Sequence, residues 1–132
     1  MATAKPFLMF TGDAQAAMDL YVATLPDSRI IRVERYGQGE PGPVDTVKVA
    51  VFTLCGREFM CSDSPVKHDF TFTPSSSIFL EFAKKEELDR AFDILSNEGR
   101  VFMPLGNYGF SLRFGWLSDR FGVSWQLNHD VQ

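Results

Sequence analysis

The hydrophobic pattern of this chain runs the same course twice: a short strand, a helix, then three strands. In the first half "KPFLMF" is apolar and short, bounded by Pro6 and Gly12. In "AQAAMDLYVATL" the residues Ala14, Ala17, Met18, Tyr21 and Leu25 fall at helical spacing. Asp13 stands where a carboxylate can accept the free N–H groups of the first turn, and Pro26 stops the helix. "RIIRVERY" reads as a strand and "GQGEPGP" as a loop. "DTVKVAVFTL" alternates Val47, Val49 and Val51 against Lys48 and Ala50, as a half-buried strand does, and "EFMCSD" follows as another.

The second half begins with "SIFLEF", which puts Ile78, Leu80 and Phe82 on one face and Ser77, Phe79 and Glu81 on the other. "KKEELDRAFDILSNEG" has the clearest helical period, with Leu88, Ala91, Phe92 and Leu95 as its buried stripe. Ala83 offers no side-chain acceptor as its cap, and Gly99 suits the left-handed position past its end. "RVFMPL", "FSLRFGWL" and "VSWQLNH" are the closing strands. Each half is therefore βαβββ, and the fold class is α+β. Module one spans about 5–63, a hydroxyl- and proline-rich linker about 64–76, and module two about 77–129, all within a single domain of 132 residues. "FTFT" inside the linker can pair as an edge strand. One helix covers four strands poorly, so two such units are expected to pair and to leave a cleft on the concave side of the joined sheet.

The charge pattern excludes several function classes. The net charge is −4, and the nearest basic cluster, "AKKEEL", is followed at once by acids. No electrostatic footprint for nucleic acid exists. No apolar run approaches the ~18 residues of a membrane span. The opening "MATAKPFLMF" has a four-residue apolar run, too short for a secretory segment, so a cytoplasmic setting is expected. Cys55 and Cys61 match no zinc spacing. With Gly56-Arg57 as a hairpin turn, Cys55 faces Glu58, so buried free thiols are expected rather than a disulfide. Thirteen phenylalanines suffice both to fill a core and to line an apolar pocket.

"PFLMFTGDAQAAMDLYVATLPDSRI", "FTFTPSSSIFLEF" and "FGWLSDRFGVSWQLN", in this order and spacing, resemble the PhnB-like (3-demethylubiquinone-9 3-methyltransferase-like) branch of the vicinal oxygen chelate superfamily. This is the glyoxalase/bleomycin resistance/dioxygenase fold. The resemblance runs from residue 5 to 128, and "DRFGVSWQLN" is its most specific part. It implies two βαβββ modules forming a U-shaped mixed sheet around a cleft, usually in a homodimer. In metal-dependent members a divalent ion sits in the cleft, held by His, Glu or Gln from the first and last strand of each module. In this sequence those slots fall near Pro6 or Phe7, near Met60, near Ser77 and at Gln126. Only Gln126 is a usable donor, and His68 and His129 lie in the linker and beyond the last strand. No metal and no other cofactor is therefore expected. The methyltransferase name finds no support either. A doubly wound methyltransferase domain needs a glycine-rich turn between strand and helix, whereas Gly37, Gly39 and Gly42 lie between two strands and are broken by Pro41 and Pro43.

Strand parity turns Trp125 and Leu127 toward the helix and Gln126 into the cleft, beside Ser124 and Asn128. The same parity turns Met60, Ser62, Ser77, Phe79 and Glu81 to the cleft, and Tyr108 and Trp116 fall where a pocket wall is expected; the ligand-binding candidates are Phe7, Met60, Ser77, Phe79, Glu81, Tyr108, Trp116 and Gln126. Glu81 is the one cleft-facing candidate for a general base, with Arg113 as a partner that would neutralise it. Asp119 and Arg120 build the turn before the last strand. The expected function is binding of a small molecule, aromatic ones included. A metal-dependent lyase, isomerase or dioxygenase and a drug-sequestering protein are the alternatives. Catalysis, and the residues that would perform it, are left open by the sequence.

Overall fold

The computed structural model describes residues 1–130. The chain separates into two compact units, Met1–Asp69 and Phe70–Gln132. The first contains β1 (Phe7–Phe10), α1 (Ala14–Thr24), β2 (Arg29–Arg35), β3 (Val47–Leu54) and β4 (Arg57–Asp63). The second contains β5 (Ile78–Glu81), α2 (Lys85–Ser96), β6 (Arg100–Gly106), β7 (Arg113–Ser118) and β8 (Ser124–His129). The sheet orders are β1-β4-β3-β2 and β5-β8-β7-β6, so the connectivity repeats strand for strand. In each sheet the first and last strands of the unit run parallel and the other neighbours antiparallel. "FTFT" forms no strand; Phe70–Thr73 is irregular chain.

In the first unit α1 covers one face of the sheet. Ala50 pairs with Cys61 and Phe52 with Phe59 across β3 and β4, and all four are buried. Ala14, Ala17, Met18 and Tyr21 meet them from α1 with no exposure. β3 is not simply half-buried as its valines suggest. From Ala50 to Leu54 only Thr53 escapes burial, so both faces of that strand are covered.

The cap of α1 also differs from the sequence reading. The Asp13 side chain makes no capping bond. The carboxylate of Asp63, at the end of β4, takes that part. Its Oδ1 accepts from Gly12 N at 2.8 Å and Ala14 N at 3.0 Å, and its Oδ2 from Val47 N at 3.0 Å. Asp63 is 3 % exposed. A buried carboxylate surrounded by backbone donors fastens the strand end, the helix start and the β3 entry together.

The β3–β4 hairpin turns one residue earlier than the sequence suggested. Leu54 pairs with Arg57, and Cys55 (φ 52°) and Gly56 (φ 80°) occupy the turn in left-handed conformations. Cys55 is thereby exposed, contrary to the expected burial, while Cys61 is buried. Burial, and after it the charge of Asp63, pushes the Cys61 thiol up to about 12, which makes it inert at neutral pH.

In the second unit α2 packs on the face that carries Trp125, Leu127, Leu80 and Leu117. Phe92 of α2 lies so close to Gly115 that a Cβ there would meet its ring at 2.5 Å. The cap of α2 is Lys84, with extended backbone and no side-chain bond. Past the helix, Glu98 and not Gly99 takes the left-handed conformation (φ 61°). Gly99 is required for another reason: a Cβ would lie 2.2 Å from the Ser118 carbonyl oxygen. Asp119, 3 % exposed, builds the turn before β8. Its Oδ1 accepts from Phe121 N and Val123 N, and its Oδ2 accepts the Trp125 indole N–H at 2.8 Å. Within "DRFGVSW" the acid that shapes the turn therefore also holds the buried indole.

Candidate functional site

The site begins with the alternation along β8. Trp125 and Leu127 are fully buried on the α2 side, so Ser124, Gln126 and Asn128 face the other way. Register then carries Gln126 into a row: it pairs with Phe79 on β5 and with Trp116 on β7. One step along the same face, Asn128 pairs with Glu81 and with Phe114. Cross-strand partners share a face at close spacing, so these residues form one surface.

That surface is aromatic. The Phe79 ring lies 6.4 Å from Phe114, and Phe110 meets Phe114 edge-on at 5.0 Å. Tyr108 stands perpendicular to Phe114 at 6.3 Å and is stacked with Phe110 at 6.3 Å. At the other end Trp116 lies 4.9 Å from Phe102. Phe79, Tyr108 and Phe110 keep 52 %, 42 % and 62 % of their surface exposed, an unusual share for rings with neighbours to pack on. Tyr108 and Phe110 come from the β6–β7 loop. Tyr108 Oη donates to the Pro104 carbonyl, and Ser111, nearly buried, donates to Asn128 Oδ1.

The polar groups on this face divide into committed and free. Ser77 Oγ lies 2.6 Å from Ser124 Oγ, and the Trp116 indole N–H donates to Ser124 Oγ at 2.9 Å. Gln126 is half-buried, and its amide has no hydrogen-bond partner among the described residues. Fully buried side-chain nitrogens and oxygens among those residues all have one. Glu81 is exposed and carries no ion pair among the described residues. Arg113 does not neutralise it; it lies on the α2 side, with Nε 2.6 Å from Asp89 Oδ1. Glu81, Asn128 and Asp130, with Phe82 and Ala83, line a depression of about 210 Å³ at the end of the parallel pair β5–β8.

In the first unit, Phe7 pairs with Met60, and Met60 with Val51. Phe7 is 52 % exposed and Met60 half-buried, on the face opposite Cys61 and Phe59. The pair Phe7–Met60 corresponds by topology to Phe79–Gln126 in the second unit. The first-strand slot opposite Gln126 is therefore Phe79; Ser77 precedes β5 and spends its hydroxyl on Ser124. The four slots hold Phe7, Met60, Phe79 and Gln126, which is one neutral amide among two rings and a thioether. Such a donor set does not fit a resident divalent ion, which needs several N, O or S ligands with charge to offset its dehydration. Among the described residues no three of His, Cys, Asp or Glu come together to hold a metal. His129 belongs to the end of β8 rather than lying beyond it, and its Nδ1 is 2.9 Å from the Phe82 carbonyl oxygen. His68 Nε2 is 3.0 Å from Ser64 Oγ.

The aromatic residues Phe110 and Phe114 and the acid Asp130 were not among the residues singled out from sequence. Phe114 was within reach of parity, two positions before Trp116 on the same strand. Phe110 and Asp130 lie outside any strand and gave no periodic signal.

The model of the family described as 3-demethylubiquinone-9 3-methyltransferase matches residues 2–128. The chain belongs to that family. It is 47 % identical to a Bacillus cereus protein described as a PhnB protein and putative 3-demethylubiquinone-9 3-methyltransferase, whose structure superposes with a TM-score of 0.94 over 97 % of this chain and 99 % of that one. Protein YjdN of Escherichia coli (strain K12) is 26 % identical over 94 % of this chain and 92 % of its own. A glyoxalase/bleomycin resistance protein/dioxygenase from Alicyclobacillus acidocaldarius shares the fold, with a TM-score of 0.57, 14 % identity and coverage of 98 % and 93 % of the two chains. The family's description names a methyl transfer. The glycine-rich loop that would have to serve a doubly wound donor site joins antiparallel β2 and β3, and a Cβ at Gly42 would strike the Tyr36 ring at 2.3 Å. The loop is packing, and it does not fit a donor site at a helix start. Among the described residues no helix is long and apolar enough to cross a membrane.

Proposed function

We propose that the protein binds a small, flat organic molecule on the face of the second sheet turned away from α2, without a resident metal. The observation that carries this reading is Gln126: a half-buried amide with no hydrogen-bond partner among the described residues, in register between Phe79 and Trp116. An amide offers a donor and an acceptor side by side, so it orients a ligand edge that presents the complementary pair. Phe79, Phe114, Tyr108 and Trp116 supply ring surface for the ligand's faces. Glu81 lies one step along the same face, opposite Asn128, and Ser77 is bonded to Ser124; in the first unit the corresponding positions are the apolar Phe7 and Met60. A thermal-shift screen of metabolites tests the reading, since a ligand of the native state raises the melting temperature. Hits should quench or shift Trp116 fluorescence. Hits that stabilise the protein equally after Phe79→Ala and Gln126→Ala would place binding elsewhere.

The same reading includes a homodimer in a cytoplasmic setting. Each four-stranded sheet has two edge strands, and Phe7 and Phe79 leave more than half of their surface open. Twofold closure is the commonest way to cover such surface. Light scattering at micromolar concentration should give twice the chain mass of 14.9 kDa. A single-chain mass would contradict the dimer.

A further inference from the structure

We propose that the molecule taken by this face is an organic cation, a quaternary or protonated amine joined to an apolar group. The inference rests on the binding reading above and adds the charge of the ligand to it. The rings of Phe79, Tyr108 and Phe110 each lie 5.0–6.4 Å from Phe114, centre to centre, and these three are substantially exposed. Ring faces carry negative potential and attract a cation within about 6 Å of the centroid. Glu81 stands two positions from Phe79 on the same strand and face, in the row of Asn128 and Phe114. Its carboxylate pairs with no cation among the described residues.

Among the described residues, the depression at this end of the sheet is lined by Glu81 and Asp130 and by no Lys or Arg. Arg113, the basic residue nearest in sequence to Phe114, is held on the opposite face by Asp89. Arg100 stacks on Phe102 at 5.2 Å, beside Trp116 at the far end of the face. An anion entering beside Glu81 would therefore meet carboxylates and ring faces in the lining itself, where no described residue supplies a positive charge. A cation finds both, and the Asn128 amide is held by Ser111 so that it bridges the depression and the ring cluster.

Titration of the full chain with benzyltrimethylammonium, benzyl alcohol and phenylacetate, followed by ligand-observed NMR and calorimetry, tests this. The cation should bind roughly tenfold or more tightly than the other two. Glu81→Gln, an exposed change that keeps the side chain's shape, should remove most of that preference. Phe79→Leu should weaken the cation more than the alcohol. Added salt should weaken binding of the cation and leave the alcohol unchanged. Equal or tighter binding of phenylacetate or the alcohol would overturn the charge assignment while leaving the binding reading intact. No detectable binding of the cation, or a preference for it that survives both substitutions, would also overturn the assignment. Loss of every screen hit's dependence on Gln126 and Phe79 would instead remove the binding reading.

Discussion

Trp125→Ala should lower the stability of the protein by about 3–5 kcal/mol, the cost of truncating a buried indole. The side chain has no exposure and lies between Ile78 and Leu117 in its row. It also donates to Asp119, whose carboxylate organises the turn that starts β8. Removing the ring therefore opens a cavity and takes a donor from a buried acid, and the effects reinforce each other. Trp125→Phe keeps most of the volume but loses the second ring of the indole with its N–H, so it should cost less, about 1–3 kcal/mol. Urea unfolding of both variants checks the order. An alanine variant with an unchanged midpoint would show that the indole is not part of the core.

Asp63→Ala should be of similar size, about 3–5 kcal/mol, for a different reason. It leaves the N–H groups of Gly12, Ala14 and Val47 without their acceptor in a buried setting, at roughly 1–3 kcal/mol for each unmet group before relaxation. Asp63→Asn should recover part of the loss. Its amide oxygen can still accept from Gly12 and Ala14, while its NH₂ group faces the Val47 donor. Hydrogen exchange at Ala14 should accelerate more in the alanine variant than in the asparagine one. Equal stability of wild type and Asp63→Ala would mean that α1 does not depend on this carboxylate.

The Asp63 and Gly99 results show where sequence reasoning succeeded and where it could not. Periodicity located both helices and the repeated βαβββ order, because the burial of Ala17, Met18 and Tyr21, or of Leu88, Phe92 and Leu95, is written in local spacing. The cap of α1 is not local: Asp63 lies 49 positions from Ala14. Asp13 was the better candidate by adjacency and is unused. Gly99 was correctly singled out for the wrong cause. Its chain neighbour Glu98 adopts the left-handed conformation, and the glycine is needed by the Ser118 carbonyl, a contact invisible without the fold. On the site side, parity alone placed Gln126 away from Trp125 and Leu127. Pairing register was needed to set Phe79, rather than Ser77, opposite it. The aromatic loop residues Tyr108 and Phe110 reach Phe114 through a loop conformation that no alternation encodes.

The account turns on whether the free amide of Gln126 meets a bound molecule. Calorimetric titration of wild type and Gln126→Ala with the best hit of the thermal-shift screen, with metal content measured on the same samples, is the most direct test. The substitution should weaken binding about tenfold or more and cost less than about 1 kcal/mol of stability, since the amide has no partner to lose among the described residues. Metal content should be negligible in both. Unchanged affinity, or stoichiometric zinc, nickel or iron that disappears on the substitution, would contradict the account.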